Sequence, residues 1–100
     1  LATDALPWRG KVFDHGGNSG QNVVFGKRVL RFRADVAPSI LDGEPTLVLR
    51  YDSPTFHNPW PIRAIVDELR SVDQGVALGP VYAVAGHRKH VLLWWGLEQG

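Results

Sequence analysis

His90 has the most to offer as an acid or base. It opens an apolar run, residues 90–97, that includes Trp94 and Trp95. An imidazole is the side chain whose ordinary pKa lets it take and give a proton near neutrality. His57, in a proline-rich stretch, is the second candidate base. Tyr51 and Tyr82 bring phenols that can serve as acids or hydrogen-bond partners, and Arg33 and Arg50 bring guanidinium groups able to hold a carboxylate or a developing negative charge. Trp94 or Trp95 offers a ring on which an aromatic ligand can stack. Only one face of a strand lines a cavity, so the alternation assigns one of the two, and Trp95 is the choice. The candidate catalytic residues are therefore His90 and His57, and the candidate ligand-binding residues are Tyr51, Tyr82, Trp95, Arg33 and Arg50.

Several chemistries are excluded by residue type and spacing. The chain has 100 residues and no cysteine, which removes disulfides, thiolate metal sites and thiol nucleophiles. His87 and His90 stand three apart, and on an extended chain they face opposite sides, so they make no metal clip. We expect no metal and no cofactor. The glycine-rich segment 16–22 is a loop by composition, but five residues separate Gly20 from Gly26 and Arg28 follows Lys27, so it is no phosphate-cradling loop. Ser19 lacks the flanking glycines of a nucleophile elbow. Lys27, Arg28, Arg31 and Arg33 form a basic cluster, yet Phe32 alternates away from Arg31 and Arg33 and the net charge is +1. No nucleic-acid partner is expected from that arrangement. The longest apolar run, residues 91–95, is far short of the ~20 residues a membrane helix needs. Methionine is absent, position 1 included, which reads as processing or trimming, and no signal-peptide pattern opens the chain. We expect a cytoplasmic protein with no membrane partner.

The elements that must position these residues read mostly as strands. Residues 8–13 make a first strand, residues 22–25 a short second one, and residues 28–35 alternate with Leu30, Phe32 and Ala34 on one face. Asp42-Gly43 marks a turn, after which residues 46–52 place Leu47, Leu49 and Tyr51 inward. Pairing of these last two strands can make Arg33 and Arg50 neighbours, in a register that the sequence does not set. Asn58-Pro59 reads as a helix entry, and Ile62, Ile65, Val66 and Leu69 form one apolar stripe of a helix ending near Val72, with Arg63 and Asp67 paired on its exposed side. Residues 76–84 and 90–97 close the chain as strands. In the last, Val91, Leu93, Trp95 and Leu97 point one way and Leu92 and Trp94 the other, so both faces need cover. The expected fold is a single α+β domain, residues 1–100, mostly antiparallel β. It is a small bent sheet or β-barrel with one helix packed on its outer face, or with a second subunit covering it as a homodimer.

Two resemblances bear on this expectation. The opening Leu6-Pro7-Trp8-Arg9-Gly10-Lys11 resembles the G-x-W-x-G signature that begins the calycin barrels, the lipocalin and nitrobindin-like families, with Leu6 in place of the first glycine. That resemblance implies Trp8 closing one end of a β-barrel around an apolar ligand. Phe32-Arg33-Ala34, the stretch Asp42-Gly43-Glu44-Pro45-Thr46-Leu47-Val48-Leu49, Asn58-Pro59, the run from Ile62 to Arg70 and Leu78-Gly79 resemble an uncharacterised family of small bacterial proteins. It implies a bacterial, soluble, single-domain protein and carries over no site.

Three functions are consistent with these residues. A binding module would hold a hydrophobic or aromatic small molecule in the barrel, using the aromatic surplus (four Trp, four Phe, two Tyr) and the two-sided apolar strands. A cofactor-independent hydrolase, isomerase or lyase would act on a similar ligand with His90 or His57 as base. A structural dimerisation domain would bury its apolar strand faces against a second copy. The first is the leading expectation.

Overall fold

A computed structural model describes the backbone of residues 8–98 and the side chains of residues 10–97. The side chain of Trp8, on which the barrel-closing expectation rests, lies outside the described residues. Seven strands follow one another as β1 (Trp8–Phe13), β2 (Ser19–Val24), β3 (Lys27–Pro38), β4 (Pro45–Arg50), β5 (Ile65–Asp73), β6 (Val76–Ala85) and β7 (Arg88–Glu98). They form one sheet in the order β1-β2-β3-β4-β5-β6-β7, and every neighbouring pair is antiparallel. The sheet curls into a half-barrel. A Cβ built at Gly10 on β1 would lie 3.9 Å from Leu97 Cδ2 on β7, so the first and last strands approach without pairing. Among the described residues no helix is long and apolar enough to cross a membrane.

The mostly antiparallel β expectation holds, with a turn at Asp42-Gly43 and a break between the last two strands where the sequence places them. Its helix does not. The only α-helix among the described residues, α1, is four residues long (Trp60–Arg63), and the second half of the expected helix is β5. The stripe misleads because β5 is buried on both sides. Ile65, Asp67 and Leu69 alternate toward the concave face, whereas Val66 and Glu68 alternate toward the convex one, and both sets are covered. The two carboxylates look like the solvated side of a helix, yet Asp67 and Glu68 are 3% and 2% exposed. Asp67 therefore makes no pair with Arg63. Asn58 is not a cap either: its side-chain amide donates to the carbonyls of Arg31 (2.7 Å) and Tyr51 (3.1 Å), pinning the β4–α1 connection across β3.

Two apolar clusters divide the faces. Phe32, Ala34, Leu49, Tyr51 and Trp95 fill the concave side, with Ile62 of α1 packed on them, so the short helix caps the interior rather than covering the convex face. On the convex side Val48, Val66 and Tyr82 pack under Ala37 and Ile40, which belong to the β3–β4 corner. This corner supplies part of the cover that the sequence assigned to a helix or a second subunit. Glycine at position 79 lets β6 bend tightly against β5, because any Cβ there would overlap the Glu68 carbonyl. Directly paired residues share a face, and a bulge in β7 breaks the simple alternation: Val81 pairs with Leu93 but Tyr82 with Val91, leaving Leu92 unpaired. Val91 thus turns to the convex side with Tyr82, whereas Leu93 and Trp95 stay concave. Val91, Leu92, Leu93 and Trp94 remain exposed in the single chain.

Candidate ligand cavity

The concave face holds a charged cluster under its apolar wall. Lys11 on β1 and Asn22 on β2 are direct register partners. Asp67 on β5 pairs with Leu49 of β4, and Tyr51 lies two residues beyond Leu49 on the same face. Curling of the sheet brings these four side chains together. Lys11 Nζ donates to Asn22 Oδ1 at 2.5 Å and to the Tyr51 hydroxyl at 2.8 Å, and lies 2.8 Å from Asp67 Oδ2. The Tyr51 hydroxyl in turn donates to Asp67 Oδ2 at 2.5 Å. Asn22 Nδ2 donates to Tyr51 Oη at 3.0 Å and to the Leu30 carbonyl at 3.1 Å.

Local backbone irregularity makes the last contact possible. The β2–β3 register shifts so that Gln21 faces Arg31 and Asn22 faces Val29, with Leu30 left between them. Leu30 takes the left-handed conformation, φ 56°, which is costly for a branched apolar residue. The bulge presents its carbonyl to Asn22 and its side chain to the cavity.

The side chains of Lys11 and Asp67 are each 4% exposed. Three rings surround the ammonium: its Nζ is 4.7 Å from the Trp95 ring centre, 5.4 Å from that of Phe32 and 5.5 Å from that of Tyr51. Such cation–π contacts offset part of the cost of removing the charge from water. Burial still pushes the Lys11 ammonium below its ordinary pKa, against the opposing pull of Asp67. Burial, with the Asp67 charge added to it, drives the Tyr51 phenol far above its ordinary pKa, so it stays protonated and keeps donating.

Above this cluster lies a cavity of about 360 Å³, within the ~300–1,000 Å³ range of small-molecule sites. Leu30, Ile62, Ile65 and Val81 form its apolar wall, Lys11, Asn22, Tyr51 and Asp67 its polar floor, and Trp95 flanks the floor. Leu93 and Trp94, both exposed, stand at its solvent side. Trp94 and Trp95 thus both contribute lining, against the expectation that only one could, because β7 is an edge strand and the cavity opens beside it.

Of the seven residues singled out in the sequence, the structure brings Tyr51 and Trp95 into this cavity. Tyr82 is buried on the convex face, where burial and the Glu68 charge raise its phenol to about 12. Arg33 and Arg50 are indeed register partners, but they also face outward, and Arg33 Nε bonds Asp35 at 3.0 Å. His57 is exposed in a left-handed turn after the 3-10 segment Pro54–Phe56, and His90 is exposed on β7 opposite Ala83. Neither histidine lines the cavity. Lys11, Asn22 and Asp67 were missed. The usable signal was alternation: Asp67 sits between Ile65 and Leu69, and Lys11 is two residues from Phe13, each on the apolar parity of its strand. No family model, curated protein or solved structure matches this chain.

Proposed function

We propose that the domain binds a small hydrophobic or aromatic molecule in the concave cavity. One observation carries the reading: an apolar cavity of about 360 Å³ ends on a buried, internally hydrogen-bonded Lys11–Asp67–Tyr51–Asn22 floor. An apolar wall with a few fixed polar groups is the usual composition of a small-molecule site. The calycin resemblance favours the same ligand class. An acid–base enzyme on a similar ligand would have to work without its expected histidines, drawing instead on Lys11, Tyr51 and Asp67. Those groups are held to one another by short bonds, which suits a fixed binding dipole better than a proton carrier.

The test is chemical-shift mapping by NMR with naphthalene as an apolar probe. Perturbations are expected at Leu30, Ile65, Val81 and Trp95, with Val48, Val66 and Tyr82 of the convex cluster silent. Shifts confined to the convex face, or none at saturation, would sink the proposal.

A homodimer is the second reading, favoured by the exposed run Val91, Leu92, Leu93 and Trp94 on an edge strand. Sedimentation velocity at micromolar concentration should then give a dimer that Leu92→Lys converts to a monomer. A wild-type monomer there would end this reading.

A further inference from the structure

The hydrogen-bond inventory of the cavity floor is uneven. A lysine ammonium has three donors, and those of Lys11 are directed at Asn22 Oδ1, Tyr51 Oη and Asp67 Oδ2. An asparagine amide has two, and those of Asn22 go to Tyr51 Oη and the Leu30 carbonyl. The Tyr51 hydroxyl gives its proton to Asp67 and receives from Lys11 and Asn22, which fills its valence. Every donor of these three residues is therefore committed. The acceptors are not: Asp67 Oδ2 receives from both Tyr51 and Lys11, whereas Oδ1 of the same buried carboxylate has no hydrogen bond among the described residues. Asp67 lines the cavity and its side chain is 4% exposed.

From this imbalance we propose that the cavity selects a neutral ligand that donates: an apolar, preferably aromatic body carrying one hydroxyl or N–H, bound to Asp67 Oδ1. This deepens the small-molecule reading above and rests on it. A carboxylate ligand would find the donors of Lys11, Asn22 and Tyr51 already committed and would meet the Asp67 charge at close range. An alkylammonium would meet Asp67 but also the Lys11 ammonium 2.8 Å from the same carboxylate. An ether or a hydrocarbon would fill the wall yet leave a buried carboxylate oxygen stripped of water and unpaired, which is the stronger penalty. A neutral hydroxyl avoids all three costs.

Three probes of one shape separate these cases: 2-naphthol, 2-methoxynaphthalene and 2-naphthoate, titrated against the wild-type protein at neutral pH by calorimetry. The expected result is 2-naphthol binding roughly tenfold or more tighter than either of the others, as a hydrogen bond to a charged acceptor implies. Asp67→Asn, checked for folding by NMR, should shrink that preference, because the amide takes on donors of its own. If the ether binds as well as the naphthol, or the naphthoate binds best, the donor rule is overturned and the cavity reading stands. If none of the three binds, both fall together.

Discussion

Asp67 and Glu68 are adjacent acids on one strand, both buried, and they do opposite things. Asp67 faces the concave side, is matched by a cation, and has one oxygen that accepts from both Tyr51 and Lys11 and another with no hydrogen bond among the described residues. Glu68 faces the convex side and is met by neutral donors: the Ser39 hydroxyl on Oε1 at 2.6 Å and the Ile40 backbone N–H on Oε2 at 2.8 Å. Both of its oxygens are used, and what they hold is the β3–β4 corner that covers Val48, Val66 and Tyr82. A buried carboxylate satisfied at every oxygen by its own chain behaves as a fastener. One paired with a charge and left with a vacant acceptor beside a cavity behaves as a receptor.

The comparison is tested most severely at Lys11. Lys11→Met leaves Asp67 as an uncompensated buried charge, and chemical denaturation should show a loss of ~3–5 kcal/mol. The double variant Lys11→Met with Asp67→Leu should regain most of it, since well-packed apolar replacements of an ion pair are commonly neutral or better. No recovery would mean that the pair is as structural as Glu68. Glu68→Gln comes next. It keeps the shape but turns one acceptor into a donor facing Ser39 or Ile40, at a cost of ~1–3 kcal/mol. Naphthalene affinity in this variant should equal that of the wild type, and a loss of affinity would merge the two sites.

The smallest effect belongs to a third, solvated acid. Arg70 Nη1 and Nη2 donate to the two oxygens of Asp42 at 2.8 and 3.0 Å. The Arg70 bonds, then the Glu44 backbone N–H, hold the Asp42 carboxyl at about 2, below its ordinary 3.8. A folded-state value below the unfolded one means the unfolded chain binds the proton first. The pair's contribution is therefore full above pH 3.8 and is lost as pH falls through about 2. An NMR titration of the Asp42 carboxyl should find that midpoint, and Arg70→Ala should raise it toward the ordinary value, the Glu44 N–H bond remaining, with little change in stability.

What could be read from the sequence follows which strands are one-sided. β3 and the inward set Leu47, Leu49 and Tyr51 in and just beyond β4 alternate cleanly, so their faces were legible, while the register that makes Arg33 and Arg50 partners was not. β5 was not, because a strand buried on both sides loses its alternation and a stripe at helical spacing can be found in what remains. The floor of the cavity was only half legible. Alternation puts Lys11 and Asp67 on the apolar parity of their strands, but both are residues that ordinarily mark solvent, and it is the curl of the sheet, bringing β1 over β5, that buries them together. The register slip at Leu92 likewise depends on β6, and nothing within β7 announces it.

All six strand pairings join sequence neighbours, so each hairpin can form with little loop to close. The contact of Lys11 with Trp95 is different, because it joins the first strand to the last. It is the chain's costliest closure in entropy, and it gains nothing until the intervening meander has assembled. The cavity floor is consequently a property of the finished fold, absent from any partly zipped sheet. A molecule seated there stabilises only the complete native state, and its protection against hydrogen exchange should extend over all seven strands rather than gather around the site.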